Sequence, residues 1–254
     1  MPEYPSTAAI PAATVVIFRH AQAGSPELLM VQRSRALRFA GGAAVFPGGK
    51  VDPADRELAA ELCPHDDPEI SSARIAAVRE TLEETGLVIA VREPVAPQEA
   101  VAARALVMAE GRLAPVLSAH GWTLDLEALQ FFAHWSPQMV RAFNTRFFVF
   151  DLGTGAVEIT VDATENTKLF WTSAAAALEM ADRGEISVIY PTRRNLERLA
   201  QFATFDDAIA DIAQHPVECI CPEQVEHEGV SWLQIPEGLG YPVTKEPLAT
   251  VLRG

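Results

Sequence analysis

Apolar and polar positions along the chain follow two periods. Ala13–Arg19 is a β-branched, apolar run and Leu28–Arg33 is a second. The turn-rich segment between them, residues 20–27, makes the pair a β-hairpin. A glycine-rich stretch follows over residues 39–52, and Asp52–Pro68 is polar, with room for a short helix. Ile70–Gly86 is the clearest helix. Ile75, Val78 and Leu82 recur there at three- and four-residue spacing between charges. Ser71 or Ser72 can cap its start, and Gly86 stands where a terminating glycine belongs. Gly86–Val91 reads as a strand, residues 98–118 as helical, and Asp125–Leu129 as a continuation of that helix. Phe131–Trp135, Thr145–Asp151 and Lys168–Thr172 read as strands. Ser173–Arg183 is an alanine-rich helix, and Thr192–Gln214 is one or two more. Pro216, Pro222, Pro236, Pro242 and Pro247 make residues 215–254 mainly loop with short strands. The mixture without strict alternation predicts an α/β or α+β fold round one core.

Composition changes this picture little, and charge changes it more. With 254 residues, 49% of them hydrophobic, the chain can bury a core without staples. Its 34 acidic against 20 basic residues give a net charge of −14. That charge speaks against nucleic-acid polymers and anionic membrane surfaces as partners. The charge is uneven, however. Arg19, Arg33, Arg35, Arg38 and Lys50 face only Glu27 over residues 19–50, whereas residues 51–91 hold ten Asp/Glu and three Arg. A small phosphorylated ligand is compatible with that local pattern. Cys63, Cys219 and Cys221 cannot build a disulfide framework. Cys219-x-Cys221, with His215 and His227 nearby, matches no common zinc spacing and reads as free thiols. The longest apolar run, Ala8–Phe18, is too short to span a bilayer and contains Pro11. No signal peptide is read, and a cytoplasmic location is the expectation.

The chemistry concentrates in Arg79–Leu87. Glu80, Glu83 and Glu84 stand at i, i+3 and i+4, which places three carboxylates on one helix face. Arg79 lies about 100° round the helix and is not expected simply to neutralise them. Carboxylates near a helix C-terminus oppose the macrodipole, so their clustering suggests use rather than a merely solvated face. A carboxylate-only set favours Mg²⁺, Mn²⁺ or Ca²⁺ over zinc. Upstream, Pro47, Gly48 and Gly49 form a turn where backbone can approach a ligand closely.

These residues resemble the Nudix hydrolase family, whose box reads G-x5-E-x7-R-E-U-x-E-E-x-G-U with U aliphatic. Gly49 matches the first glycine, and Arg79, Glu80, Glu83, Glu84, Gly86 and Leu87 match the second half. Asp55 stands at the position of the first Glu, and Thr81 stands at an aliphatic position. Asp55 and Arg79 are separated by 23 residues where the family has seven. A coenzyme A diphosphatase-like subgroup, similar to mammalian Nudix hydrolase 19, carries an insertion at this place. The insert must loop out for the glycine turn and the Glu helix to meet. Arg33, Ser34, Arg38, Gly42, Phe46, Pro47, Gly48 and Gly49 also resemble the signature upstream of the box in coenzyme A-type enzymes. The usual Leu-Leu-Thr opening reads Leu29, Met30, Val31. The likeness extends over residues 12–214.

The resemblance implies an α/β fold: a Nudix α/β/α sandwich with a mixed sheet and a helical C-terminal extension. The domain would span 12–190 with an insertion near 56–71, and 191–254 would pack on it. The implied activity is Mg²⁺- or Mn²⁺-dependent hydrolysis of a pyrophosphate in a nucleoside diphosphate derivative. Coenzyme A or acyl-coenzyme A is the leading substrate, giving 3′,5′-ADP and (acyl-)4′-phosphopantetheine. ADP-ribose, NADH or nucleotide sugars are the alternatives, and a non-catalytic nucleotide-binding regulatory domain is the alternative of another class. Glu80, Glu83, Glu84 and Arg79 are the catalytic candidates, with Glu80, Glu83, Glu84 and the Gly49 carbonyl as metal ligands. Arg33, Arg38, Phe46 and Gly48 are the substrate-binding candidates. Asp55, Glu158, Asp162 and Glu165 are further carboxylate candidates, the last three for the general base. A small-molecule phosphoanhydride is the expected partner, with neither nucleic-acid polymer nor membrane, and a homodimer is left open. Trp135, Trp171 and Phe147, Phe148 and Phe150 read as core rather than base-stacking platform, Tyr190–Pro191 reads as a turn near the pocket, and His20 and His134 have no visible partner.

Overall fold

The computed structural model describes residues 9–21, 24–34, 40–137, 142–153 and 166–251. The chain runs β1 (Ile10–Arg19), β2 (Glu27–Arg33), β3 (Ala44–Val45), β4 (Gly48–Lys50), α1 (Pro53–Leu62) and α2 (Pro68–Thr85). It continues with α3 (Pro97–Glu110), α4 (Ala114–His120), a 3₁₀ turn (Leu126–Ala128), β5 (Gln130–Trp135), β6 (Phe143–Asp151) and β7 (Asn166–Thr172). Helices α5 (Ala174–Asp182), α6 (Tyr190–Leu199) and α7 (Phe205–Gln214) follow. Last come β8 (Cys219–Ile220), β9 (Glu223–His227), β10 (Val230–Gln234), β11 (Lys245–Pro247) and α8 (Leu248–Val251).

The main sheet is mixed, in the order β3-β2-β1-β6-β5-β8, with β4 on β1 and β7 on β2. β1 runs parallel to β6 along its length, Ile10 to Phe18 against Phe143 to Asp151. Its other edge changes partner. Ala12–Thr14 pair with β4, and Phe18–Arg19 pair with β2. The sheet therefore opens between β2 and β4, next to the glycine turn.

Both faces of the sheet are covered, which explains why β1 reads as a continuous apolar run rather than an alternating one. Val15, Ile17, Leu29 and Phe148 pack under Ile75, Val78 and Leu82 of α2 and Val107 of α3. Val16, Phe18, Met30, Phe132, Trp135 and Val149 pack under Ala177 of α5, Leu196 and Leu199 of α6 and Ala208 of α7. The result is an α/β/α sandwich. Ile220 and Tyr241 join the second core, so the chain beyond α6 is held to the sheet. Residues 190–251 are not purely helical: β8 extends the main sheet, and β9–β11 form a small antiparallel one.

Several expectations change. Helix α2 starts two residues earlier than read and is capped by Asp67, which accepts from Glu69 N and Ile70 N. Ser71 and Ser72 lie in its first turn and donate back to Asp67 O and Pro68 O. Gly86 does end it, at φ 75°. Gly86–Val91 is not a strand. It lies under the helical layer, and Val91 makes only a bridge to Leu124. The helix over 98–118 is two, broken at Gly111 (φ 65°), and Asp125–Leu129 forms the 3₁₀ turn. The insertion does not loop out. Its first part continues α1, whose Leu58 and Ala59 are buried against the core, and Arg56 of α1 pairs with Glu69 of α2 at 2.6 Å. No helix among the described residues is long and apolar enough to cross a membrane.

Candidate active site

The glycine turn is pressed between β1 and α2. A Cβ on Gly48 would stand 2.3 Å from Ala13 O, and one on Gly49 would stand 2.3 Å from the Glu80 carboxyl carbon. A Cβ at Gly48 would meet backbone and one at Gly49 the end of the Glu80 side chain, so the turn approaches the helix this closely only because both are glycine. Gly48 N donates to Glu84 Oε2 at 3.0 Å, and Asn166 Nδ2 of β7 donates to Glu84 Oε1 at 3.2 Å. Glu84 is thus fixed from two sides in a buried position.

Arg79 organises the remaining carboxylates. Its Nε donates to Asp55 Oδ1 and its second terminal nitrogen to Asp55 Oδ2, both at 2.9 Å. Its other terminal nitrogen reaches Glu80 Oε1 at 3.0 Å and Glu83 Oε2 at 3.1 Å. It also donates to Lys50 O at 2.9 Å, which ties the glycine strand to the helix. This corrects the expectation that Arg79 stands apart from the acidic face: its long side chain curls back to two of the three glutamates. Asp55 is placed differently from a ligand. It is 1% exposed, does not line the cavity, and caps the start of α1 by accepting from Asp52 N.

Charge balance sets the electrostatics. Burial pushes the Glu80 carboxyl up to about 8, with Arg79 opposing and Glu84 and Glu83 adding to the rise. Burial also raises Glu83, against the pull of Arg79. For Arg79, burial works against the charged form, but the hydrogen bonds it donates to Asp55 and the charges of Glu80, Asp55 and Glu83 outweigh it and raise the pKa. The C-terminal end of α2 receives a second cation. Arg104 of α3 donates to Glu83 O at 3.0 and 2.8 Å and to Glu84 O at 3.3 Å, offsetting the macrodipole where the glutamates stand. Sequence reasoning missed both Arg104 and Asn166. Each lies far along the chain, with no spacing relation to the box.

These groups open into a cavity of about 680 Å³. Its lining includes the charged or glycine residues Gly48, Gly49, Lys50, Asp52, Arg79, Glu80, Glu83 and Glu84, and also Met108, Trp135, Phe143, Phe147, Ile189, Pro191 and Thr192. Arg33 and Phe46 also line it, and the Arg33 Nε has no hydrogen-bond partner among the described residues. Arg38, Glu158, Asp162 and Glu165 lie outside the described residues. Trp135, Phe147 and Phe148 are buried core residues, as read. Tyr190–Pro191 is not a turn but the first turn of α6. His20 faces Asp151 at 3.0 Å, His134 meets Asn144 Oδ1, and Cys219 and Cys221 are free thiols.

The donor set fits a hard divalent cation. Asp52, Glu80, Glu83 and Glu84 bring oxygen ligands to one cavity, and Arg79 cannot balance them all. The Gly49 backbone lies against the Glu80 carboxylate in a cradle that a Cβ would fill. Among the described residues, no three His, Cys, Asp or Glu side chains already converge on one point, since Arg79 draws on Glu80 and Glu83 while Gly48 and Asn166 hold Glu84.

Comparison with known proteins agrees with this geometry. Residues 9–185 match the NUDIX domain family. The chain is similar to a NUDIX hydrolase from Alicyclobacillus acidocaldarius, at 31% identity and a TM-score of 0.68, covering 80% of this chain and 96% of that one. A MutT protein from Methanosarcina mazei Go1 matches at 17% identity and a TM-score of 0.44, covering 79% and 97%. The NUDIX domain of Shewanella oneidensis NrtR, complexed with ADP ribose, matches at 12% and 0.41, covering 75% and 85%. With the family match over more than half of its length and the box residues gathered in one cavity, the chain belongs to the Nudix family.

Proposed function

We propose that this Nudix chain is a divalent-metal-dependent pyrophosphohydrolase of a nucleoside diphosphate derivative, with coenzyme A or acyl-coenzyme A as substrate. The observation that carries the reading is one cavity in which the glycine turn, the carboxylates of α2 and the unpaired Nε of Arg33 stand together. Water adds to one phosphorus of the pyrophosphate, the bridging P–O bond breaks, and the products are 3′,5′-ADP and (acyl-)4′-phosphopantetheine. Bound Mg²⁺ or Mn²⁺ supplies positive charge against the charge developing on the phosphoryl oxygens. Glu80, Glu83, Glu84 and the Gly49 carbonyl are the residues that would hold it. Asp55 keeps Arg79 in place, and Arg79 in turn orients Glu80 and Glu83. A carboxylate of the site accepts the proton of the attacking water. Arg33 meets the 3′-phosphate that distinguishes coenzyme A from other adenosine diphosphate derivatives.

The presence of Glu80, Glu83 and Glu84 together counts against a purely binding role, because a ligand-binding relic need not keep three like charges clustered on one partly buried helix face. The test is a screen with Mg²⁺ and Mn²⁺ against coenzyme A, NADH, ADP-ribose and diadenosine polyphosphates, with products identified by mass spectrometry. Coenzyme A should give the highest kcat/KM. Glu83→Gln or Glu84→Gln should lower kcat by about a hundredfold or more with an unchanged circular dichroism spectrum. Undiminished turnover in both variants would remove the assignment, and preference for ADP-ribose or NADH would replace the substrate.

A further inference from the structure

Two neutral N–H donors grip Glu84. Gly48 N, in the glycine turn, donates to Oε2 at 3.0 Å, and the Asn166 side-chain amide donates to Oε1 at 3.2 Å. Glu80 and Glu83 are held differently, by the guanidinium of Arg79 at 3.0 and 3.1 Å. The distinction matters for a cation. A guanidinium competes with a metal for the same negative charge, whereas a neutral amide orients a carboxylate without cancelling it. Each carboxylate oxygen has two acceptor positions, so one such donor on each does not by itself exhaust Glu84, which lines the cavity.

Asn166 reaches Glu84 through an irregularity in β7. Along this strand Leu169 and Trp171 face the core beneath α2, and Phe170 faces the other core. Unbroken alternation would put Asn166 on the Phe170 side, away from α2. The ladder shifts instead. Gln32 pairs with Lys168 but Arg33 pairs with Asn166, so β7 carries one extra residue, Thr167. Thr167 and Lys168 are exposed in succession, and Thr167 Oγ1 donates to Gln32 O at 3.2 Å. The bulge turns Asn166 to the α2 side, where it is 2% exposed.

Packing alone does not call for an amide at this position. Asn166 Oδ1 is buried without a hydrogen-bond partner among the described residues, and an orphaned carbonyl is costly. Turning the amide over would set Oδ1 against Glu84 Oε1, acceptor against acceptor, so Glu84 fixes which way it points.

We propose that Asn166 is the positioning residue of Glu84: its amide fixes the carboxylate for a divalent cation without neutralising it, and the bulge in β7 delivers it there. The inference rests on the reading of Glu84 as a metal ligand and adds a residue from outside the box. Asn166 does not itself line the cavity and acts through Glu84.

Mn²⁺ binding tests it, measured by titration calorimetry on the full chain and followed by turnover. Asn166→Leu keeps nearly the same shape and removes the donor. It should weaken Mn²⁺ by about tenfold or more, and raise the Mg²⁺ concentration for half-maximal turnover of coenzyme A by a similar factor. KM for coenzyme A at saturating Mg²⁺ should stay within about twofold. A double-mutant cycle separates positioning from a general effect on the fold: in a Glu84→Gln background, Asn166→Leu should change Mn²⁺ affinity by less than about twofold. Asn166→Ala, which adds no bulk, is measured in its place if the leucine variant does not fold. Mn²⁺ affinity within about twofold of wild type in the folded single variant would overturn the proposal, as would an equal loss in both backgrounds. Unfolding of both variants would assign Asn166 to the fold and overturn it too. A wild type that binds Mn²⁺ but hydrolyses no pyrophosphate removes the enzyme reading alone, and the calorimetry still decides this one. A wild type that binds no Mn²⁺ overturns both.

Discussion

Arg79 forks onto Asp55 through two 2.9 Å hydrogen bonds, with the two side chains only 3% and 1% exposed and 24 positions apart. The pair joins the first turn of α1 to the middle of α2, and the glutamates then hang on the other side of the same guanidinium. Removing Asp55 takes the two-pronged partner from a buried guanidinium, which keeps only its bonds to Glu80, Glu83 and Lys50 O. Asp55→Ala should therefore cost about 3–5 kcal/mol in urea unfolding and lower kcat through misplaced glutamates. The double variant Asp55→Leu/Arg79→Met should regain most of the stability and none of the activity. Recovery of activity in the double variant would show that the pair only holds the helices together.

The two glycines of β4 should respond differently to alanine. Gly48→Ala drives a Cβ into the Ala13 carbonyl, which is backbone and cannot move away cheaply. Gly49→Ala drives it into the Glu80 carboxylate, which can swing. The first substitution should lower the melting temperature. The second should keep it near wild type but weaken Mn²⁺ binding by about tenfold or more in titration calorimetry, by displacing a ligand. Equal Mn²⁺ affinity in Gly49→Ala and wild type would remove Glu80 from the ligand set.

Glu80 makes the metal-free protein pH-sensitive. Its folded pKa is pushed to about 8 from an ordinary 4.5, so the folded state binds a proton that the unfolded chain has released. That contribution to stability is fully present below 4.5 and is lost as pH rises through about 8. In EDTA, the melting temperature should fall between about pH 5 and pH 9, and Glu80→Gln should flatten the fall. Mg²⁺ should stabilise the protein most at the alkaline end, where its ligands are already deprotonated. Superimposable profiles for wild type and Glu80→Gln would contradict this.

Arg33 should discriminate between two forms of one substrate. Arg33→Ala should lower kcat/KM for coenzyme A by about tenfold or more, the scale of a lost charge-assisted hydrogen bond. Dephospho-coenzyme A, lacking the 3′-phosphate, should be hydrolysed equally by both proteins. If both substrates slow together, Arg33 serves the pyrophosphate or the fold instead.

The sequence alone determined the box helix, its terminating Gly86, the buried strand β1 and the family, because each is written in short-range spacing. An apolar residue every three or four positions, three glutamates on one face and a Pro-Gly-Gly turn are local signals. The tertiary structure decided what those groups touch. Whether Arg79 reaches the glutamates depends on a flexible side chain and on Asp55 arriving from α1. Asn166, Arg104 and the start of α6 reach the site only because the sheet brings distant segments together. The segment before α2 reads as polar with room for a short helix, and α1 is that helix; what its polarity hides is that Leu58 and Ala59 are buried against the core. Gly86–Val91 shows the converse: an apolar run carries burial but not hydrogen-bond partners, and here packing under the helices, not a neighbouring strand, claimed it.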